Sequence, residues 1–104
     1  MILIPLSAVV NQTFSIVLEG SQYDLAIYLA KNVMAMDIVR DNTTILLGAR
    51  LLPNSLIIPY KYLENGNFFM TTENGAYPIY TEFGITQFMY FLTQVELNGL
   101  RATP

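Results

Sequence analysis

Phe14-Ser15-Ile16-Val17-Leu18-Glu19-Gly20-Ser21-Gln22-Tyr23-Asp24-Leu25-Ala26-Ile27-Tyr28-Leu29 is the stretch that decides the fold. Two runs rich in β-branched, aromatic and aliphatic residues flank Glu19-Gly20-Ser21-Gln22, where Gly20 supplies the positive φ that a tight hairpin needs. In the second run Tyr23, Leu25, Ile27 and Leu29 fall on one face and Asp24, Ala26 and Tyr28 on the other. A period of two with one apolar face describes a half-buried antiparallel strand.

The same grammar continues in both directions. Upstream, Ile2 to Leu6 reads as a short edge strand, because Pro5 cannot donate to a ladder. Downstream, Met34 to Arg40 alternates again, Asp41-Asn42 makes a turn, and Thr44 to Leu51 is its antiparallel partner. Pro53-Asn54-Ser55 and Pro59 interrupt the pattern around Leu56-Ile57-Ile58. Glu-Asn-Gly then occurs at 64–66 and again at 73–75, bracketing Asn67 to Thr72. Asn-Gly is a strong turn signal, so Phe68 to Thr72 is expected to be a strand with a turn at each end. The repeat is too short to indicate duplicated domains.

The C-terminal third admits two readings over 86–98. Ile85, Phe88, Met89, Leu92 and Val95 sit at helical spacing, whereas with period two Phe88, Tyr90 and Leu92 oppose Met89 and Phe91. Aromatic enrichment favours a strand from about Thr86 to Leu92. Thr93-Gln94-Val95-Glu96 then matches a capping box and Gly99 offers a stop, so at most one short C-terminal helical turn is expected. The fold class is all-β and mainly antiparallel: a single β-rich domain over 1–104, built as a small barrel or sandwich of about seven short strands.

Composition limits the chemistry. There is no histidine and no cysteine, and charged residues make up 12% of 104 positions, where a soluble domain carries roughly 25%. Zinc and other soft metals thereby lose their usual ligands, and no cofactor is expected. Asp41-Asn42-Thr43 lacks the spaced acids and closing Glu of a calcium loop. The six glycines are scattered, so no phosphate-cradling loop is present. A Ser or Thr nucleophile would need Lys31 or Lys61 as its base, and neither lies in a nucleophile motif. Asp37, Asp41, Glu64 and Glu73 are the carboxylates that a wall hydrolase would draw on, but each has a local role in a turn or at a strand edge. The chain therefore reads as no enzyme.

Net charge is −3, and the five bases are dispersed, so no direct nucleic-acid site is evident. No apolar run approaches the roughly 18 residues of a membrane span. The opening Met1 to Leu6 lacks the basic region of a signal peptide, which leads to the expectation of synthesis in a cytoplasm. The two Asn-x-Thr sequons, at Asn11 and Asn42, are then coincidental.

What remains is apolar excess: 53% hydrophobic, with aromatics crowded between Tyr60 and Phe91. Some of these fill a core. Tyr77-Pro78-Ile79-Tyr80 cannot be a central strand because of Pro78, so it is expected to be an exposed loop whose aromatics suit a protein interface.

Several pieces also share an order with a known family. They are Ile4-Pro5-Leu6-Ser7, then Asn11-Gln12-Thr13-Phe14 with Leu18-Glu19-Gly20 and Tyr23, and Met36-Asp37-Ile38. Ile58-Pro59-Tyr60-Lys61-Tyr62-Leu63, Gly66-Asn67-Phe68, Thr71-Thr72-Glu73, Pro78 and Phe83-Gly84-Ile85-Thr86-Gln87 follow. Taken in this order they resemble the phage baseplate plug proteins. The resemblance implies a structural virion protein of contractile-tailed phages, placed where tail tube, hub and spike meet, that blocks the channel before infection. It also implies a homo-oligomeric ring, threefold or sixfold, and supplies no catalytic residue. Tyr77, Pro78, Tyr80 and Phe83 are the residues expected to contact neighbouring copies or the hub. The alternative is a stand-alone β-module that binds a peptide or a phage factor in the infected cell.

Overall fold

The computed structural model describes residues 1–101; the last three positions of the domain expected over 1–104 lie outside the described residues. Among the described residues seven strands form two antiparallel sheets. Strands β2 (Asn11–Leu18), β3 (Ser21–Ala30), β4 (Val33–Arg40) and β5 (Thr43–Arg50) make a meander in the order β2-β3-β4-β5. Strands β1 (Ile2–Ile4), β6 (Asn67–Thr71) and β7 (Phe88–Leu92) make the second sheet in the order β1-β7-β6. Helix α1 spans Gln94–Arg101. Of the two architectures open to the sequence, the sandwich is the one found. The sheets pack on a common core and do not close into a barrel.

Three two-residue turns set the meander. Glu19-Gly20, Lys31-Asn32 and Asp41-Asn42 all hold positive φ at both positions, between 49° and 77°. Such turns match the right-handed twist of the strands they join. Each turn lies between consecutive strands, so the register of the meander is fixed locally. Tyr23, Leu25 and Ile27 face inward and are buried, while Leu29 is half-buried. One irregularity falls between β4 and β5, where the pairing slips between Met36 and Ile38 and again between Ile38 and Val39. Asp37 holds this bulge: its Oδ1 accepts from the Gly48 N–H at 2.7 Å and from the Tyr28 hydroxyl at 2.8 Å. That bond raises the Tyr28 hydroxyl above its ordinary pKa, since ionising it would set two negative charges together.

The two sheets meet through aromatics. Tyr23 of β3, Phe68 of β6 and Phe91 of β7 are completely buried and pack edge to face, with centroids 5.1–5.6 Å apart. Arrangements of this kind add about 0.5–1.5 kcal/mol per pair beyond area burial. Burial raises the Tyr23 pKa as well, and its hydroxyl donates to the Asn65 carbonyl at 2.8 Å.

Two expectations need adjustment. The Glu-Asn-Gly segments do bound β6, but neither is a two-residue hairpin turn. The first follows a 3₁₀ turn at Lys61–Leu63, the second is itself a 3₁₀ turn, and β6 reaches β7 only after a long excursion over 72–87. The C-terminal helix is longer than one turn. The capping box forms as expected, with Glu96 N–H donating to Thr93 Oγ1 and Thr93 N–H to Glu96 Oε1 at 3.2 and 3.0 Å. Gly99 does not adopt the positive φ of a stop, and the helix runs on to Arg101. Buried Leu97 and the Arg101–Glu64 ion pair hold that second turn down. Among the described residues no helix is long and apolar enough to cross a membrane.

Candidate functional site

Tyr77 and Tyr80 lie in the excursion between β6 and β7, which has no ladder of its own to hold it. Gln87 supplies the missing backbone partner. It is 2% exposed, its Oε1 accepts from the Ile79 N–H at 2.8 Å, and its Nε2 donates to the Tyr77 carbonyl at 3.1 Å. A side-chain amide thus takes the place of a neighbouring strand. Gly84 N–H donates to the Gln87 carbonyl, and the Glu82 carbonyl accepts from Ile85, Thr86 and Gln87, which closes the end of the loop. The tip is therefore pre-organised, and a docking partner would not have to order it.

The four residues expected at an interface divide by depth. Tyr77 is 64% exposed, and the Arg50 guanidinium sits 5.1 Å from its ring centroid as a cation–π pair. Tyr80 is half-buried against the core. Pro78 is buried, and Phe83, at 2% exposure, belongs to the core. Tyr77 thus lies at the surface, Tyr80 is partly exposed, and Pro78 and Phe83 form the footing beneath. Tyr60 and Tyr62 add a second aromatic patch, stacked on each other at 5.7 Å and both exposed.

A second polar cluster fixes the chain between the sheets. Asn67 is completely buried at the start of β6. Its Oδ1 accepts from the Ile58 N–H and its Nδ2 donates to the Ile58 carbonyl, both at 2.9 Å, so it pairs with residue 58 as a strand would. The same Nδ2 donates to Glu64 Oε2. Arg101 grips the Glu64 carboxylate with two parallel bonds at 2.6 and 2.7 Å, and Arg40 donates to the Leu63 carbonyl at 2.9 Å. The Arg101 contact holds the Glu64 carboxyl below its ordinary pKa, against the opposing effect of burial. An ionised, doubly bonded carboxylate is a fastener and has no proton to give a substrate. Gly66 is required beside it. With φ at +88°, a Cβ there would lie 2.1 Å from Phe91 Cζ.

Gln87 and Asn67 were visible in the sequence only as members of ordered motifs. Buried amides of this kind carry no periodic signature.

A family model described as cyanophage baseplate Pam3 plug gp18 matches residues 1–94. This chain belongs to that baseplate plug family. The match takes in both sheets, the aromatic loop and the Asn67 cluster apart from Arg101, and stops at the first residue of α1. Among curated proteins none matches the chain. The Arg101 clasp on Glu64 lies beyond the part that the baseplate plug family model covers.

Proposed function

We propose that this chain is a non-enzymatic structural component of a phage tail baseplate, and that copies of it close the tail-tube channel at the hub. The observation that carries this reading is the family match over 1–94, which includes both sheets and the aromatic loop. The sequence supports it: few charges, no histidine or cysteine, and an apolar excess suited to a subunit enclosed by neighbours. So does the surface, where Tyr77, Tyr62, Leu47 and Val95 are each more than 60% exposed.

In this reading a single domain works as one rigid unit. Tyr77 and Tyr80 contact a neighbouring copy or the hub, and Pro78 and Phe83 keep the loop in its docking shape. The copies form a ring of threefold or sixfold symmetry in contact with hub, tube and spike proteins, made in the host cytoplasm and carried in the virion. The test is quantitative mass spectrometry of purified particles. Peptides of this chain are expected at a few copies per tail, in fixed ratio to other baseplate proteins. Their absence from the particle would overturn the proposal.

A further inference from the structure

A β-sandwich must do something about its edges, because an unpaired strand templates further pairing. The two outer strands of the three-stranded sheet are blunted. Strand β1 has three residues and is followed by Pro5. The outer edge of β6 is covered by the 53–57 segment, through Asn54 N–H to the Met70 carbonyl and Ile57 N–H to the Phe68 carbonyl. In the meander, β5 is paired on one side only, and the bulge opposite Asp37 is the one irregularity along it. Strand β2, the other margin, is the more regular of the two. Its eight residues, Asn-Gln-Thr-Phe-Ser-Ile-Val-Leu, hold no charge and no proline, and they pair with β3 in unbroken register.

The turn geometry shows which groups are free. Glu19-Gly20 is a two-residue turn with both φ positive, closed by the Leu18–Ser21 pair. In such a hairpin the closing pair exchanges both its hydrogen bonds and alternate pairs do not. Counting back from Leu18, the even positions of β2 are bonded to β3. The odd positions, Asn11, Thr13, Ser15 and Val17, turn their N–H and C=O groups outward.

We infer that a second copy of this chain occupies the β2 edge, by antiparallel pairing of β2 with β5 of its neighbour in a head-to-tail assembly. Four observations select this occupant. Both margins of the meander are eight residues long. With four strands in the meander, margins included, rotation about an axis along the strands sets β2 antiparallel to the neighbour's β5, so the alternation continues across the junction. Both margins also leave inner-face apolar side chains half-covered: Phe14 and Ile16 on β2, Leu46 and Ala49 on β5. Finally, the ladder sets Asn11, Tyr28, Ala35 and Arg50 at one level. An unstaggered junction therefore brings the Arg50–Tyr77 pair of one copy against the exposed Val9 and Val10 of the next. The aromatic loop and the strand edge become one continuous interface, and the β5 bulge adds twist at the seam.

The inference rests on the baseplate reading only for the expectation of a ring. Its test uses the chain alone, by native mass spectrometry and sedimentation, with circular dichroism to confirm folding. The unaltered chain is expected to form a closed oligomer larger than a dimer. Thr13→Pro removes an outward N–H of β2, and Thr44→Pro blocks the opposite margin. Each is expected to weaken association by about 100-fold with the fold retained, and an equal mixture of the two should stop at a dimer. A chain that stays monomeric to about 0.5 mM overturns the inference. So does a folded Thr44→Pro variant that associates like the unaltered chain, since a twofold β2–β2 contact would spare it. If Thr13→Pro does not fold, Thr44→Pro carries the test. None of these results alters whether the chain is found in virions, which the particle measurement decides separately.

Discussion

Replacing Gly66 with alanine tests how tightly the sheets are keyed together. A Cβ at this position would lie 2.1 Å from Phe91 Cζ, 2.7 Å from Phe91 Cε1 and 2.9 Å from the Leu92 carbonyl oxygen. Carbon atoms pack best at about 3.5–4.0 Å, so the Phe91 ring would have to retreat by more than 1 Å. It has nowhere to go, being completely buried and locked edge to face against Tyr23 and Phe68. Overpacking of this kind costs about 1–3 kcal/mol, and a left-handed backbone adds about 1–2 kcal/mol for an alanine. The expected loss is about 2–5 kcal/mol, a large share of the roughly 5–15 kcal/mol that stabilises a domain. Gly20→Ala is the control, since Gly20 has a similar φ of +77° but no atom within 4 Å of the added carbon. The backbone cost is common to both, so urea unfolding at constant m-value should place Gly66→Ala about 1–3 kcal/mol below Gly20→Ala. Equal destabilisation of the two variants, within about 0.5 kcal/mol, would refute the steric argument.

Other substitutions address the polar fasteners and the loop. Asn67→Leu leaves the Ile58 N–H and C=O without their partner; at about 1–3 kcal/mol for each orphaned group, it should destabilise markedly and speed amide exchange at Ile58, and unchanged exchange would contradict the strand-mimic role. Glu64 has a folded-state pKa below its ordinary value, so its contribution is present above the unfolded pKa of about 4.3 and fades as pH falls through the folded one. Glu64→Gln should therefore flatten the acid limb of the stability profile, and parallel limbs in the two proteins would count against the clasp. Tyr77→Ser, at an exposed tip, should change stability by no more than about 0.5 kcal/mol while lowering incorporation into particles. Tyr80→Ser should lower both stability and assembly, because Tyr80 packs partly on the core; full incorporation of both variants would remove the loop from the interface.

The meander was legible because local signals decide it. Tyr23, Leu25 and Ile27 alternate cleanly, and Gly20 and Asp41-Asn42 mark turns whose φ values the structure bears out. Lys31-Asn32 gave no comparable warning, since a lysine in the left-handed region is set by the strands on either side of it. The second sheet was harder to read. Its strands are separated by long excursions, and Glu-Asn-Gly, a hairpin signal by composition, serves there as a bend and a 3₁₀ turn. Gly99 looked like a stop because composition cannot register Arg101 reaching across to Glu64. At the candidate interface, Pro78 correctly excluded a central strand, yet depth was not readable. Whether Tyr77 or Phe83 faces outward depends on where Gln87 ties the loop, a contact between residues ten apart.

The most direct measurement of the central claim is a cryo-EM reconstruction of the intact tail before infection, at a resolution that traces side chains. The proposed role places this chain as a ring on the channel axis where tube, hub and spike meet, with Tyr77 at a contact between protein copies. A baseplate whose channel is closed there by other chains, or a particle without this one, would contradict it.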